Sequence, residues 1–347
     1  MHVPDGFLDI QTSVVTGVVA AGAIAVALRK SRSELTEKTA PMAGLTAAFV
    51  FAVQMLNFPV GVGTSGHLLG GALAAVLVGP WTAILVMSVV LIVQALVFAD
   101  GGLTALGTNI LLMGIVAVGV GWLVTKLVLR VLPKRPTSVI PASFVGALLS
   151  VPASAGVFVL LYMVGGATEL PFGPLLATML GWHTLIGLGE AFITAATVGA
   201  VIAVRPDLVY AARDLQHDLV LRAPDGQEIA AGAAEATPAT AEAARRSPWP
   251  LLVGGLGVTL ILAGAVSFVA SSNPDGLEYV AETEGFLEVA EDSPLADLAL
   301  ADYGEVGGIP VGVAGLIGVG ITVLIGLALF LWLSRRSTST TSESVEV

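Results

Sequence analysis

The chain has no cysteine in 347 residues. That excludes disulfides, thiolate metal sites and haem-attachment motifs together. Charge is scarce at 12% of residues, and the net charge of −11 argues against nucleic acid as a partner. The seven methionines are scattered singly and offer no thioether relay for Cu(I). No Gly-Lys pair occurs, so there is no phosphate loop and no ATP hydrolysis by that route. Imidazole comes only from His2, His67, His183 and His217. Any metal site must therefore be built from nitrogen and oxygen donors.

What remains is apolar. Hydrophobic residues make up 55% of the chain, and they fall in runs at about 10–28, 40–58, 67–80, 81–98, 104–130, 140–164, 182–204, 249–270 and 309–333. Runs of this length predict an all-α polytopic membrane protein, with about seven spans in a first bundle and a C-terminal two-helix hairpin. The run at 67–80 is too short to cross upright and predicts a partial, sheltered helix. If every run crosses, all fifteen Lys and Arg fall on one side, which must be the cytoplasm. The N-terminus and the loops near 59–67, 99–103, 165–182 and 271–308 then lie outside, and the C-terminus inside the cell membrane.

Composition divides the chain further. Residues 1–205 read as the bundle. Residues 206–248 read as an Ala-, Pro- and charge-rich cytoplasmic linker around Thr237-Pro238-Ala239-Thr240. Residues 249–336 read as the hairpin, and 337–347 as a polar tail. The outer loop of the hairpin carries ten Asp or Glu between Asp275 and Glu305 and no basic residue.

The opening, Met1-His2-Val3-Pro4-Asp5-Gly6-Phe7-Leu8-Asp9, bears no basic stretch of the kind that starts a signal peptide. With Met1 retained and unmodified, its amine, the His2 amide nitrogen and the His2 Nδ1 can close two small rings around one ion. A fourth nitrogen completes a square, which suits Ni(II) or Cu(II). His67, in Gly61-Val62-Gly63-Thr64-Ser65-Gly66-His67-Leu68-Leu69-Gly70-Gly71, is placed on the same side, at the outer end of the third run. There the positive end of a helix dipole favours the neutral, metal-binding imidazole. Asp5 and Asp9 could accept the His2 Nε2–H and fix its tautomer. Equally, Pro4-Asp5-Gly6 reads as a turn and Asp9 as a helix cap. His183 and Glu190 share a helix face. A carboxylate inside a span is a candidate for the ion's route or for a structural hydrogen bond. Gln54, Asn57, Gln94 and Asn109 read as interhelical polar contacts, and His217 as solvated.

These motifs resemble the metal-capturing M component of cobalt/nickel energy-coupling factor transporters over about residues 1–205. Asn273-Pro274-Asp275-Gly276-Leu277-Glu278 resembles the small N component with a Pro-Asp-Gly-Leu-Glu motif, here fused behind it. The resemblance implies that Met1, His2 and His67 hold the ion, with His183 and Glu190 part of the signature. It implies Ni²⁺ or Co²⁺ as transported substrate, no cofactor, and partners encoded elsewhere: a transmembrane coupling subunit and a pair of cytoplasmic ATPases. Planar ligation and the fused N component tip the reading toward nickel. Two other classes stay open: an ion-coupled secondary carrier relaying protons through Glu190, and a membrane metal sensor or scaffold that does not transport.

Overall fold

A backbone without water to bond to must close its hydrogen bonds internally, and in this chain the apolar runs do so as helices. The computed structural model describes residues 1–36, 39–61, 63–215, 220–222, 228–230, 247–301, 303 and 308–342. His217, the linker core at 237–240, Asp302, Glu305 and the last five residues lie outside the described residues.

Seven helical stretches are long and apolar enough to cross a membrane: Ile10–Ser33, Pro80–Val97, Leu106–Val131, Pro136–Gly165, Phe172–Val204, Trp249–Val269 and Val311–Arg336. Within them, α1 is Ile10–Lys30, α4 is Pro80–Val97, and α5 Leu106–Asn109 runs through a π-helical segment, Ile110–Val116, into α6, Ala117–Val131. Next come α7, Val139–Gly165, α8, Phe172–Val204, α9, Trp249–Gly264, and, after the short α10, Gly276–Glu284, the final α11, Val311–Ser342. Two shorter apolar helices complete the set, α2, Ala40–Gln54, and α3, Gly71–Val78. Every residue of α3 is buried, as expected for a segment too short to face lipid along its length.

Two boundaries differ from the sequence reading, each for a physical reason. The stretch before α3 is an antiparallel hairpin, β1 Phe58–Gly61 with β2 Thr64–Gly66. His67 therefore leaves a strand, four residues before the helix begins. In addition, α8 starts at Phe172, because Pro174 lies in its first turn, where no backbone N–H is needed.

The bundle centres on α3, α4 and the π segment, with α7 and α8 packed along each other beside them. The C-terminal hairpin docks through α2, which packs against both α9 and α11. Close approach there depends on Gly318: a Cβ on it would lie 2.1 Å from the Phe51 ring. In lipid, such backbone proximity, more than apolar burial, holds helices together. At the end of the bundle that carries the N-terminus, α10 packs on α8 and β2. Asp275 caps α10 reciprocally with Glu278, a capping box.

Candidate metal centre

Residues 1–9 form a strap across one end of the bundle. Val3 is pinned like a strand residue: its N–H donates to Asn109 Oδ1 at 2.8 Å, and its carbonyl accepts from Asn109 Nδ2 at 3.1 Å and Gly102 N at 2.9 Å. Further along, the Asp5 carbonyl accepts from Glu291 N (2.8 Å) and the Phe7 carbonyl from Ala167 N (3.1 Å). The Phe7 ring meets Phe286 edge-on, with centroids 5.1 Å apart. Asp9 caps α1 by accepting from Thr12 N at 2.7 Å. The strap is thus tied both to the bundle and to the loop of the C-terminal hairpin.

The strap ends in a buried amine. The Met1 ammonium donates to Asp275 Oδ2 at 2.7 Å and lies in close contact with His67 Nε2. The His2 and His67 rings stack with centroids 4.9 Å apart and planes 23° off parallel. Asp275 Oδ2 is also 3.5 Å from His67 Nε2. Amine, both imidazoles and one carboxylate therefore converge. His2, His67 and Asp275 line, with Asp100, Glu278 and Tyr303, a cavity of about 360 Å³. Close packing at its rim requires Gly101, whose φ of +84° suits glycine and whose Cβ would sit 2.9 Å from Asn109 Nδ2.

Hydrogen bonds assign the tautomers. His67 Nδ1 faces the Leu68 carbonyl at 3.0 Å, so the proton sits there and Nε2 is left bare toward the amine. His67 lies four residues before α3 begins, so it does not sit at the helix N-terminus expected from the sequence. For His2 the assignment comes through a chain of amides. Gln54 Nε2 donates to the Leu69 carbonyl (2.7 Å), and Gln94 Nε2 donates to Gln54 Oε1 (2.9 Å). Gln94 must then present its oxygen to His2 Nε2, 3.2 Å away, which makes that nitrogen the protonated one. His2 Nδ1 is left bare, facing Asp100 Oδ1 at 3.4 Å. Two acceptors face each other there, an arrangement that a cation between them would relieve.

Burial holds the His2 imidazole neutral, pushing it down to about 4 against an attraction from Asp100. Burial also works against ionisation of Asp275, but the ammonium and His67 outweigh it and hold the carboxyl well below the usual range. The neighbouring Glu278 is pushed up by burial and by Asp275.

The other sequence candidates take supporting places. Asp5 does not touch His2. Its carboxylate accepts from Leu103 N (3.0 Å), Thr104 N (2.7 Å) and the Thr104 hydroxyl, because the pinning of Val3 turns it toward that loop. Glu190 accepts from Leu69 N at 2.7 Å and Gly70 N at 3.2 Å, clamping the loop that carries His67. Fully buried His183 donates from Nδ1 to the Met179 carbonyl at 2.8 Å, and its Nε2 faces Gly276, beside Asp275. Sequence reasoning missed Asp275, Asp100, and the jobs of Gln94 and Asn109. Asp275 stood inside a motif already singled out, but nothing local pointed to a partner 274 positions away.

Comparison with known proteins follows the same division of the chain. The family model described as the cobalt uptake substrate-specific transmembrane region, CbiM, matches residues 2–208, and the PDGLE domain matches residues 249–335. A putative fused nickel transport protein NikMN of Archaeoglobus fulgidus is 39% identical over 211 residues, covering 60% of this chain and 68% of that protein. A putative metal transport protein of Haloquadratum walsbyi is 38% identical over 210 residues, covering 60% and 94%. A solved structure of a transition metal transporter superposes with a TM-score of 0.50 at 32% identity, covering 59% of this chain and 93% of that one.

Proposed function

We propose that this chain, which belongs to the family of the cobalt uptake substrate-specific transmembrane region and carries a PDGLE domain behind it, is the ion-capturing subunit of an ATP-driven importer of Ni²⁺ or Co²⁺. It is a multi-pass membrane protein of nickel and cobalt transport, a transporter component and not an enzyme. In our reading, residues 1–205 capture the ion, 206–248 link on the cytoplasmic side, and 249–336 form the assisting two-span part. The strap and acidic loop face outward. A coupling subunit and a pair of ATPases, on other chains, drive release.

The observation that carries this reading is the buried Met1 amine against the bare Nε2 of His67, with the His2 ring stacked alongside. The amine, the His2 amide nitrogen, His2 Nδ1 and His67 Nε2 would be the four ligands. A divalent ion among them displaces protons from the ammonium and from the amide, about two in all. The exchange conserves local charge. Ammonium and Asp275 carboxylate cancel beforehand. Afterwards the ion's two charges are met by the amide anion and the same carboxylate. Flat four-nitrogen ligation suits low-spin d⁸ Ni(II), accommodates Co(II), and fits the tetrahedral preference of Zn(II) poorly.

The test is uptake of radioactive nickel by cells expressing the chain with its coupling subunit and ATPases. Uptake should need all components and vanish with His2→Ala or His67→Ala. Uptake by the purified chain alone in liposomes, driven by a pH gradient, would instead establish the ion-coupled carrier. Binding without uptake, with every partner supplied, would establish the sensor.

A further inference from the structure

At the far end of the bundle lies a second polar site that metal capture does not use. From Asn109, which holds Val3, the rod Leu106–Val131 continues for about 33 Å before it ends. There α6, the turn joining α1 to α2 at Ser33, and the short 3-10 helix Tyr210–Leu215 enclose a pocket of about 600 Å³. Lys126, Arg130, Lys134 and Arg213 line it, against a single carboxylate, Asp214.

We infer that this pocket binds the phosphate of an anionic phospholipid. Among the described residues no salt bridge takes up Lys126, Arg130 or Lys134. Their charge is therefore available to a ligand. The floor is aromatic. Trp122 and Tyr210 pack with centroids 5.5 Å apart, Lys126 Nζ lies 5.3 Å over the Trp122 ring, and the Arg213 guanidinium 4.8 Å over Tyr210. Tryptophan and tyrosine with cations at a span's end mark the headgroup level of a bilayer. Arg213 is braced by donating to the Glu34 carbonyl at 3.1 Å, so one wall of the pocket is rigid.

A lipid is favoured over a soluble anion because the pocket runs into an apolar strip. Leu123, Leu127 and Val131 lie on the exposed side of α6 at spacings of four residues, 58%, 47% and 83% exposed, next to Lys126 and Arg130. A phosphate seated among the cations would leave its acyl chains lying along that strip. In the orientation proposed above, this end faces the cytoplasmic leaflet, where anionic headgroups attract juxtamembrane Lys and Arg.

The experiment titrates the full-length protein in detergent with brominated phosphatidylglycerol or brominated phosphatidylcholine and follows tryptophan quenching. Phosphatidylglycerol should quench saturably and phosphatidylcholine should not. Trp122→Phe should remove the saturable part. Lys126→Gln should move the midpoint about fivefold, and the variant with Lys126, Arg130 and Lys134 all changed to Gln about a hundredfold. Nickel content of each variant, read separately, should match the wild type and verify folding. If the triple variant does not fold, the exposed Lys126→Gln change decides alone. Equal quenching by both lipids, or an unmoved midpoint in Lys126→Gln, overturns the inference. So does displacement of phosphatidylglycerol by equimolar inorganic phosphate, which would make free phosphate the ligand. Loss of coupling-subunit binding in these variants, with lipid binding intact, would assign the pocket to that protein and also overturn it.

Discussion

Asp275→Asn changes the charge of the centre and little else. The asparagine oxygen can still accept from Leu277 N and Glu278 N, which Asp275 Oδ1 now receives at 2.7 and 2.9 Å, so α10 keeps its cap. The other oxygen becomes an NH₂ group. It faces the Met1 ammonium, donor against donor, where a 2.7 Å ion pair stood. Both partners are nearly sealed from water, with side-chain exposures of 1% and 11%. A hydrogen bond to a charged group contributes about 1.5–3 kcal/mol, and stranding one member of a buried pair costs about 3–5 kcal/mol. Before the ion is added, the tip of the strap can swing toward water and escape much of that penalty. With the ion held by the four proposed nitrogens it cannot, and the positive charge left after the amide anion is counted faces only the more exposed Asp100. The expected loss of affinity is about 2 kcal/mol, or roughly 30-fold in Kd. Calorimetric titration of the full chain, carrying an unmodified start, with NiCl₂ measures it. An unchanged or tighter Kd would refute the assignment of Asp275 as counter-ion.

Two further outcomes follow from the same geometry. Gln94→Leu breaks the amide chain that protonates His2 at Nε2 and should weaken nickel binding about 10- to 100-fold, measured by the same titration, with thermal stability nearly kept. Acid should loosen the strap. The docked His2 titrates at about 4 against 6.5 for the ordinary group. The undocked strap therefore binds more protons between those values. Docking is at full strength above about pH 6.5 and weakens as pH falls toward 4, by about 3 kcal/mol at about 1.4 kcal/mol per pH unit. Hydrogen exchange at residues 1–9, corrected for intrinsic rates, should show protection falling across that window, and His2→Ala should remove the dependence.

The helices were legible because lipid demands long apolar runs, and the opening stood out as a candidate chelate because its three nitrogens belong to two adjacent residues. The β1–β2 hairpin was hidden in a glycine-rich stretch whose backbone choice depends on Asn273 and Pro274. The Pro274 carbonyl accepts from Ser65 N at 2.9 Å and the Asn273 carbonyl from the Ser65 hydroxyl at 2.7 Å. Gln94 was visible as a polar residue in a span. Its role required knowing that Gln54 and His2 flank it, a matter of helix packing rather than local pattern. Asp5 illustrates the converse: chemically suited to supporting His2, it is turned away by contacts that only the folded loop at 101–104 supplies.

Metal content separates these possibilities most directly. Full-length protein should be purified from nickel-supplemented cells in two forms, one with its native start and one with a six-residue polar extension before Met1, with His67→Ala as a third sample. If the buried amine and His67 together hold the ion, the native start should retain about one nickel per chain, and the extension and His67→Ala should each lose it. Equal nickel in the native and extended forms would contradict the account at its centre.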